Sequence, residues 1–221
     1  MTLRLIVFDV DGTLVDSQRD IVGGMQHAFA LMDLPAPEPA AILATVGLSL
    51  PQTMARLAPE LGPEGQAALV AAYKKTYAEL RLFAGSAASS PLYPGARDCL
   101  EALHAVPDIL LGIATGKSRR GLDALLDAHD LRPFFVTAQH ADIHPSKPHP
   151  SMLHAAMRDA GTEAAHTIMV GDSSFDMDMA RAAEVTAIGV GWGYQPARGL
   201  DADHIAPDFA ALTGHLLHLA K

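Results

Sequence analysis

The sequence holds a single cysteine, Cys99, so no intramolecular disulfide can form and the composition fits a reducing compartment. It also lacks any apolar stretch near the roughly 20 residues needed to cross a bilayer. The first apolar run, Leu5-Ile6-Val7-Phe8, stops at Asp9 and is too short for a signal peptide. Basic residues are scarce: 16 Lys and Arg stand against 25 Asp and Glu, a formal net charge of -9. That balance argues against a nucleic-acid partner, which requires a basic face. Low hydrophobicity and dense charge, the marks of disorder, are missing too, since 49% of residues are apolar and 19% charged. The expectation is a soluble, cytoplasmic protein with no nucleic-acid or membrane partner. Nothing in the sequence decides between a monomer and a homodimer. A small anionic substrate stays open, because a bound metal and a few local cations can reverse the field inside one cleft.

What the sequence does contain is a series of short, β-branched apolar runs, most of them ended abruptly by polar residues or glycine. Leu5 to Phe8 stops at Asp9, Leu110 to Ala114 at Thr115-Gly116, Thr167 to Val170 at Gly171-Asp172, and Ala187 to Val190 at Gly191-Trp192-Gly193; Phe134 to Thr137 is a further candidate. The runs are mostly continuous, without strict alternation, which suits strands buried on both faces of a parallel sheet. Helical spacing fills the gaps at Gly95 to Ala105, Ser118 to His129, Pro150 to Ala160 and Phe175 to Ala183. This alternation predicts an α/β fold with a doubly wound parallel sheet, a Rossmann-like core. With 221 residues there is room for a smaller insert. From about Asp16 to Ala88 no strand pattern occurs, and helical stretches run at Arg19 to Met32, Pro39 to Val46, Pro51 to Leu57 and Pro63 to Leu82. Proline and glycine separate them. The expected organisation is a core of residues 1–15 and 89–221 and a small all-helical domain of residues 16–88 inserted after the first strand. A small-residue linker, Ser86 to Ser90, returns to the core.

The residues that end the strands carry the chemistry. In open parallel sheets, ligands bind outside the carboxyl ends of the strands. Those ends deliver Asp9 and Asp11, then Thr115, then Asp172 with Asp176, and Lys147 lies just before a predicted helix. Carboxylates that close repel one another unless a cation sits among them, and a hard cation with oxygen ligands, Mg2+, meets that need. A carboxylate beside such an ion can attack phosphorus and form an aspartyl-phosphate. Lys147 and the Thr115 hydroxyl would hold the equatorial oxygens, with backbone N–H groups near Gly12 and Gly116 assisting. Asp11 is placed to protonate the leaving oxygen and then to activate water. Singly, each motif has a plainer reading: a turn at Asp11-Gly12, a helix N-cap at Ser118, helix-start acids at Asp172 and Asp176. Their coincidence at strand ends is what those readings leave unexplained. His140, His144 and His149 read as a polar loop around Lys147, Trp192 and Tyr194 as packing, and Cys99 as a buried thiol.

Asp9-Val10-Asp11-Gly12-Thr13-Leu14-Val15-Asp16-Ser17 resembles the first signature of the haloacid dehalogenase-like hydrolases. Thr115-Gly116-Lys117 resembles the second, Lys147-Pro148 the third, and Gly171-Asp172-Ser173-Ser174-Phe175-Asp176 the fourth, all in the expected order. The helical insert is similar to that family's α-helical cap, and Tyr93-Pro94-Gly95 resembles its phosphoglycolate phosphatase branch. The resemblance implies Asp9 as nucleophile and metal ligand, and Asp11 as general acid/base with its backbone carbonyl on the metal. It implies Thr115 and Lys147 on the phosphoryl group, Asp172 on magnesium, and Asp176 in support. Family dehalogenases and phosphonatases lack the second aspartate, which is present here as Asp11. Family sugar-phosphate mutases carry a histidine and a basic residue where this chain has Ile21 and Leu50. The expected activity is therefore hydrolysis of a small phosphorylated metabolite, 2-phosphoglycolate first, with pyrophosphate, a phosphosugar mutase or a non-catalytic phosphate-binding scaffold as alternatives. A receiver domain of two-component signalling gathers similar residues, but the insert and Asp11 count against it. Arg56, Lys74, Lys75 and Arg81 are the candidate anion contacts of the insert. The loop Val46 to Leu50 is a further candidate to reach the site, and Asp16 to Arg19 with Ser86 to Ser90 are the expected hinge.

Overall fold

The computed structural model describes residues 3–84 and 86–219, and their side chains apart from those of residues 81–86. Six strands form one sheet: β1 (Arg4–Phe8), β2 (Ile109–Thr115), β3 (Phe135–His140), β4 (Thr167–Gly171), β5 (Thr186–Val190) and β6 (His204–Ala206). Their order is β3-β2-β1-β4-β5-β6, and each neighbouring pair is parallel. β1 sits at the centre, and its alternation explains its apolar continuity. Ile6 and Phe8 enter one apolar cluster and Leu5 and Val7 the other, so both faces are covered. The first cluster takes in α6 (Ala96–His104), α7 (Arg119–Ala128) and α10 (Phe209–Leu219); the second takes in α8 (Ser151–Ala160) and α9 (Ser174–Ala182).

Between β1 and β2 the described chain is helical: α1 (Gln18–Ala30), α2 (Pro39–Leu43), α3 (Leu50–Leu57), α4 (Pro63–Ala84) and a short α5 (Ser86–Ser89). Ile21, Met25, Ala28 and Phe29 recur at helical spacing on α1 and meet Ile42, Met54, Leu69 and Tyr73 in an apolar cluster of their own. The small-residue segment expected as a linker is thus a turn of helix at Ser86–Ser89, in keeping with its alanines. The two chain crossings between these helices and the sheet lie side by side. The Asp16 N–H donates to the Pro91 carbonyl at 2.9 Å, and Val15 bridges Leu92.

Three elements differ from expectation. β3 runs on through Gln139 and His140, polar residues that are nevertheless buried. Gln139 Nε2 donates to Thr137 Oγ1 and to Asp159 of α8, both at 2.7 Å, so the buried Gln139 amide is satisfied by the helix that follows the strand. β6 and α10 add a sixth strand and a last helix that packs beside α6. Among the described residues no helix is long and apolar enough to cross a membrane. Leu100 of α6 is fully buried in the first cluster. Leu100→Ala is expected to lower unfolding free energy by about 2–5 kcal/mol. Urea denaturation checks this, and a loss under about 1 kcal/mol would mean the side chain is not packed as described.

Candidate active site

The strand order turns at β1, whose neighbours are β2 and β4, and the carboxyl ends around that point deliver the candidate residues. Asp9 follows β1, Thr115 ends β2, and Asp172 follows β4. Asp176 lies in the first turn of α9, and Lys147 in the loop between β3 and α8. Asp9, Asp172 and Asp176 are buried and bring one oxygen each within 4.8 Å of one another. Lys147 Nζ stands 2.8 Å from Asp9 Oδ1 and 2.6 Å from Asp176 Oδ1, itself fully enclosed. The other oxygen of Asp176 accepts from the Ser173 hydroxyl at 2.6 Å and the Ser173 N–H at 3.1 Å, closing a capping box on α9. Asp172 accepts from the Tyr194 N–H at 2.8 Å and from the Thr13 hydroxyl at 3.3 Å. Asp9 Oδ1 meets the Lys147 ammonium and accepts no other hydrogen bond among the described residues.

Three buried carboxylates against one ammonium leave an excess of negative charge. Burial pushes the Asp9 carboxyl up to about 7; Lys147 works against the rise and Asp176 adds to it. Burial, then Asp176 and Asp9, raise Asp172 well above the carboxylate range. Burial alone would pull Lys147 down, but Asp176 and Asp9 outweigh it and hold the ammonium above the usual lysine value. Hard oxygen donors with surplus charge in a dry site fit a divalent cation. Backbone walls keep the carboxylates in place. A Cβ on Gly193 would lie 2.0 Å from Asp172 Cβ, and one on Gly12 (φ +86°) would lie 2.3 Å from Asp172 Oδ2.

Asp11 turns away from this cluster. Both its oxygens lie 2.7 Å from Lys117 Nζ, and the Ser17 hydroxyl also donates to it. Asp9, Asp11, Thr115 and Gly116 open on a cavity of about 270 Å³ that α1, α2, α4 and residues 46–50 roof over. The loop 46–50 does reach the site: Ser49 N–H donates to Ser146 Oγ at 2.8 Å, beside Lys147. Of the basic residues expected to line the insert's side, Lys74 does so. Arg56 is exposed and lies over the Phe175 ring at 4.9 Å, Lys75 is exposed away from the cavity lining, and the Arg81 side chain lies outside the described residues. Gly12 is corrected as a phosphate donor, because its N–H is taken by the Val15 carbonyl at 3.0 Å; its place is to let Asp172 approach.

The profile described as haloacid dehalogenase-like hydrolase matches residues 6–190. The chain belongs to that family. A protein named "Probable phosphatase IndB" from Dickeya dadantii is 38% identical over 192 residues, 86% of this chain and 81% of that one. A phosphoglycolate phosphatase from Rhodospirillum rubrum is 34% identical over 219 residues, 95% of this chain and 89% of its own. A solved hydrolase from Pseudomonas syringae shares the fold, with a TM-score of 0.85 over 99% of this chain and 100% of that one at 24% identity.

Within this haloacid dehalogenase-like fold, the structure brings Asp9, Thr115, Lys147, Asp172 and Asp176 to one place. His140, His144 and His149 do not join the carboxylate cluster; His144 is held by Ser151 and Gln139, each at 2.8 Å. Trp192 packs between Tyr93 and Phe209 and donates to the Thr13 carbonyl at 3.0 Å. Tyr194 is more than packing, since its hydroxyl accepts from the Ser17 N–H at 2.8 Å while its backbone holds Asp172. The sequence reading gave no role to Lys117, Ser17 or Gly193, although Ser17 ends the first signature and Lys117 the second, and it gave Tyr194 packing alone. Lys147→Met would leave Asp9 and Asp176 buried without their cation. The expected loss in the metal-free protein is about 3–5 kcal/mol by chemical denaturation. Unchanged stability would contradict the ion triad.

Proposed function

We propose that this protein is a magnesium-dependent phosphatase that hydrolyses small phosphomonoesters through a phosphorylated Asp9. The observation that carries the reading is the buried carboxylate cluster at the sheet's turning point, with Asp9 facing a cavity that also presents Thr115 and Asp11. Asp9 and Asp172 would hold the ion together with the Asp11 backbone carbonyl, and Asp176 would support them by fixing Lys147. Magnesium, when bound, supplies the positive charge that offsets repulsion between a carboxylate and a phosphate. The Asp9 carboxylate attacks phosphorus, the bond from phosphorus to the alcohol oxygen breaks, and Asp11 gives that oxygen its proton. Water then attacks the aspartyl-phosphate while Asp11 takes a proton back, releasing inorganic phosphate and free Asp9. Lys147, the Thr115 hydroxyl and the Gly116 N–H hold the non-bridging oxygens, so that positioning and charge neutralisation carry most of the rate.

Residues 16–88 act in this reading as a cap that closes over the site and excludes water, with the paired crossings at Asp16 and Pro91 as its hinge. Its substrate is a small phosphorylated metabolite in the cytoplasm, a setting compatible with one buried cysteine and an acidic surface. The names of several relatives make 2-phosphoglycolate the first ester to assay. Ile21 and Leu50 line the cavity and neither can relay a proton, which counts against a phosphosugar mutase.

Phosphate release from a panel of phosphomonoesters is expected to require magnesium and to fall by roughly a thousandfold or more in Asp9→Asn. Release that survives the substitution would end the proposed mechanism. A second expectation concerns pH. With Asp9 raised to about 7, protons compete for its oxygen below that pH, and above it the metal-free protein carries an uncompensated buried charge. The rise in Tm on adding magnesium is therefore larger at pH 8 than at pH 6. Differential scanning fluorimetry reads this directly, and a larger gain at pH 6 would contradict Asp9 as a ligand.

A further inference from the structure

The cavity above Asp9 and Thr115 has two unlike halves. Its sheet side holds the charged groups. Its helical side is mainly apolar, formed among others by Ile21 and Met25 of α1, Ile42 of α2, Leu48, and the rings of Tyr73 and Tyr77 of α4, with Thr45, Thr53 and the exposed Lys74 as its polar members. The two tyrosine rings stack with centroids 5.6 Å apart and an interplanar angle of 28°. The Tyr77 hydroxyl is buried and takes no hydrogen bond among the described residues, so this polar atom on the mainly apolar side is open to a partner.

The cations near the cavity are differently disposed. Lys117 is engaged by both oxygens of Asp11, while Lys74 and Arg120 are exposed residues at its margin. An alcohol that carried its own carboxylate would set a second negative charge against these apolar walls and near Asp11. Lys117 could pair with that charge only in competition with Asp11, and Lys74 and Arg120 only from the exposed margin, where an ion pair contributes little. A two-carbon acid would also leave most of the wall unfilled, whereas a flat apolar body would cover it.

We infer that the preferred substrates are phosphomonoesters of uncharged alcohols with an apolar body, a flat ring above all, and that 2-phosphoglycolate is a poor substrate. This rests on the phosphatase reading and adds the class of leaving group. The ring lies against the helical wall beside Tyr73 and Tyr77, and the Tyr77 hydroxyl donates to a polar atom of the leaving group where there is one.

The test compares kcat/KM of the full chain in magnesium for benzyl phosphate, ethyl phosphate and 2-phosphoglycolate, whose leaving alcohols are of similar basicity. Benzyl phosphate is expected to exceed 2-phosphoglycolate by about tenfold or more, the scale on which an apolar pocket discriminates. In Leu50→Arg, which sets a cation into the helical side, that ratio is expected to fall by about tenfold or more. Because each ratio is taken within one protein, a partly misfolded variant does not distort it. A smaller or inverted ratio in the wild-type protein overturns the inference and leaves the phosphatase reading standing. A wild-type preference that Leu50→Arg leaves unchanged overturns the assignment of the wall. Failure to hydrolyse any of the three esters removes the phosphatase reading and this inference with it.

Discussion

Everything at the sheet edge depends on the enclosed ammonium of Lys147, held between Asp9 and Asp176. Carboxylates removed from water are strongly disfavoured unless paired, and here three are buried together. One lysine links two of them and leaves charge unbalanced. The protein can meet that imbalance by holding a proton, as the upward displacement of Asp9 and Asp172 indicates, or by holding a cation. Neither outcome is a defect on the proposed reading. On that reading, a site left unsatisfied by its own side chains is one ready for a divalent ion and then a phosphate.

The fold restrains this unfavourable arrangement by leaving the acids nowhere else to go. Asp172 is wedged between the backbone of Gly12 and that of Gly193, where no side chain fits, and the Tyr194 N–H grips one of its oxygens. Asp176 is fastened by the capping box of α9, so a device that starts a helix also aims a carboxylate at Lys147. Local helix chemistry and site electrostatics thus share one residue. Rigidity of this kind suits a reaction in which positioning supplies much of the rate.

Much of this was legible in the sequence, for a physical reason. Buried parallel strands are continuous apolar runs, and the residues that stop them are the residues a ligand meets. Asp9, Thr115 and Asp172 are visible in that way. The end of β3 was hidden because Gln139 and His140 look like loop residues until Asp159 of α8 is seen beside Gln139. β6 is three residues long, below what periodicity can reveal, and Ser86–Ser89 reads equally as linker or helix. The roles of Lys117 and Tyr194 escaped for a different reason. Their parts depend on contacts with Asp11, Ser17 and Asp172, which no spacing along the chain encodes.

The two halves of the cavity meet closely at one glycine. A Cβ on Gly116 would stand 2.5 Å from the Leu48 carbonyl oxygen and 2.6 Å from that of Gly47. The glycine after Thr115 therefore lets the roof come down onto the sheet edge. Any side chain there would lift the 46–50 loop, and with it the apolar wall at Leu48 and Leu50, away from Asp9 and Thr115. Chemistry held by the sheet and selection held by the helices can then vary separately, provided this contact is kept. The carboxylate cluster has no part in the helical wall, so changes among Ile21, Met25 or Leu50 can alter which alcohol is accepted without disturbing the charges that would cleave its phosphate.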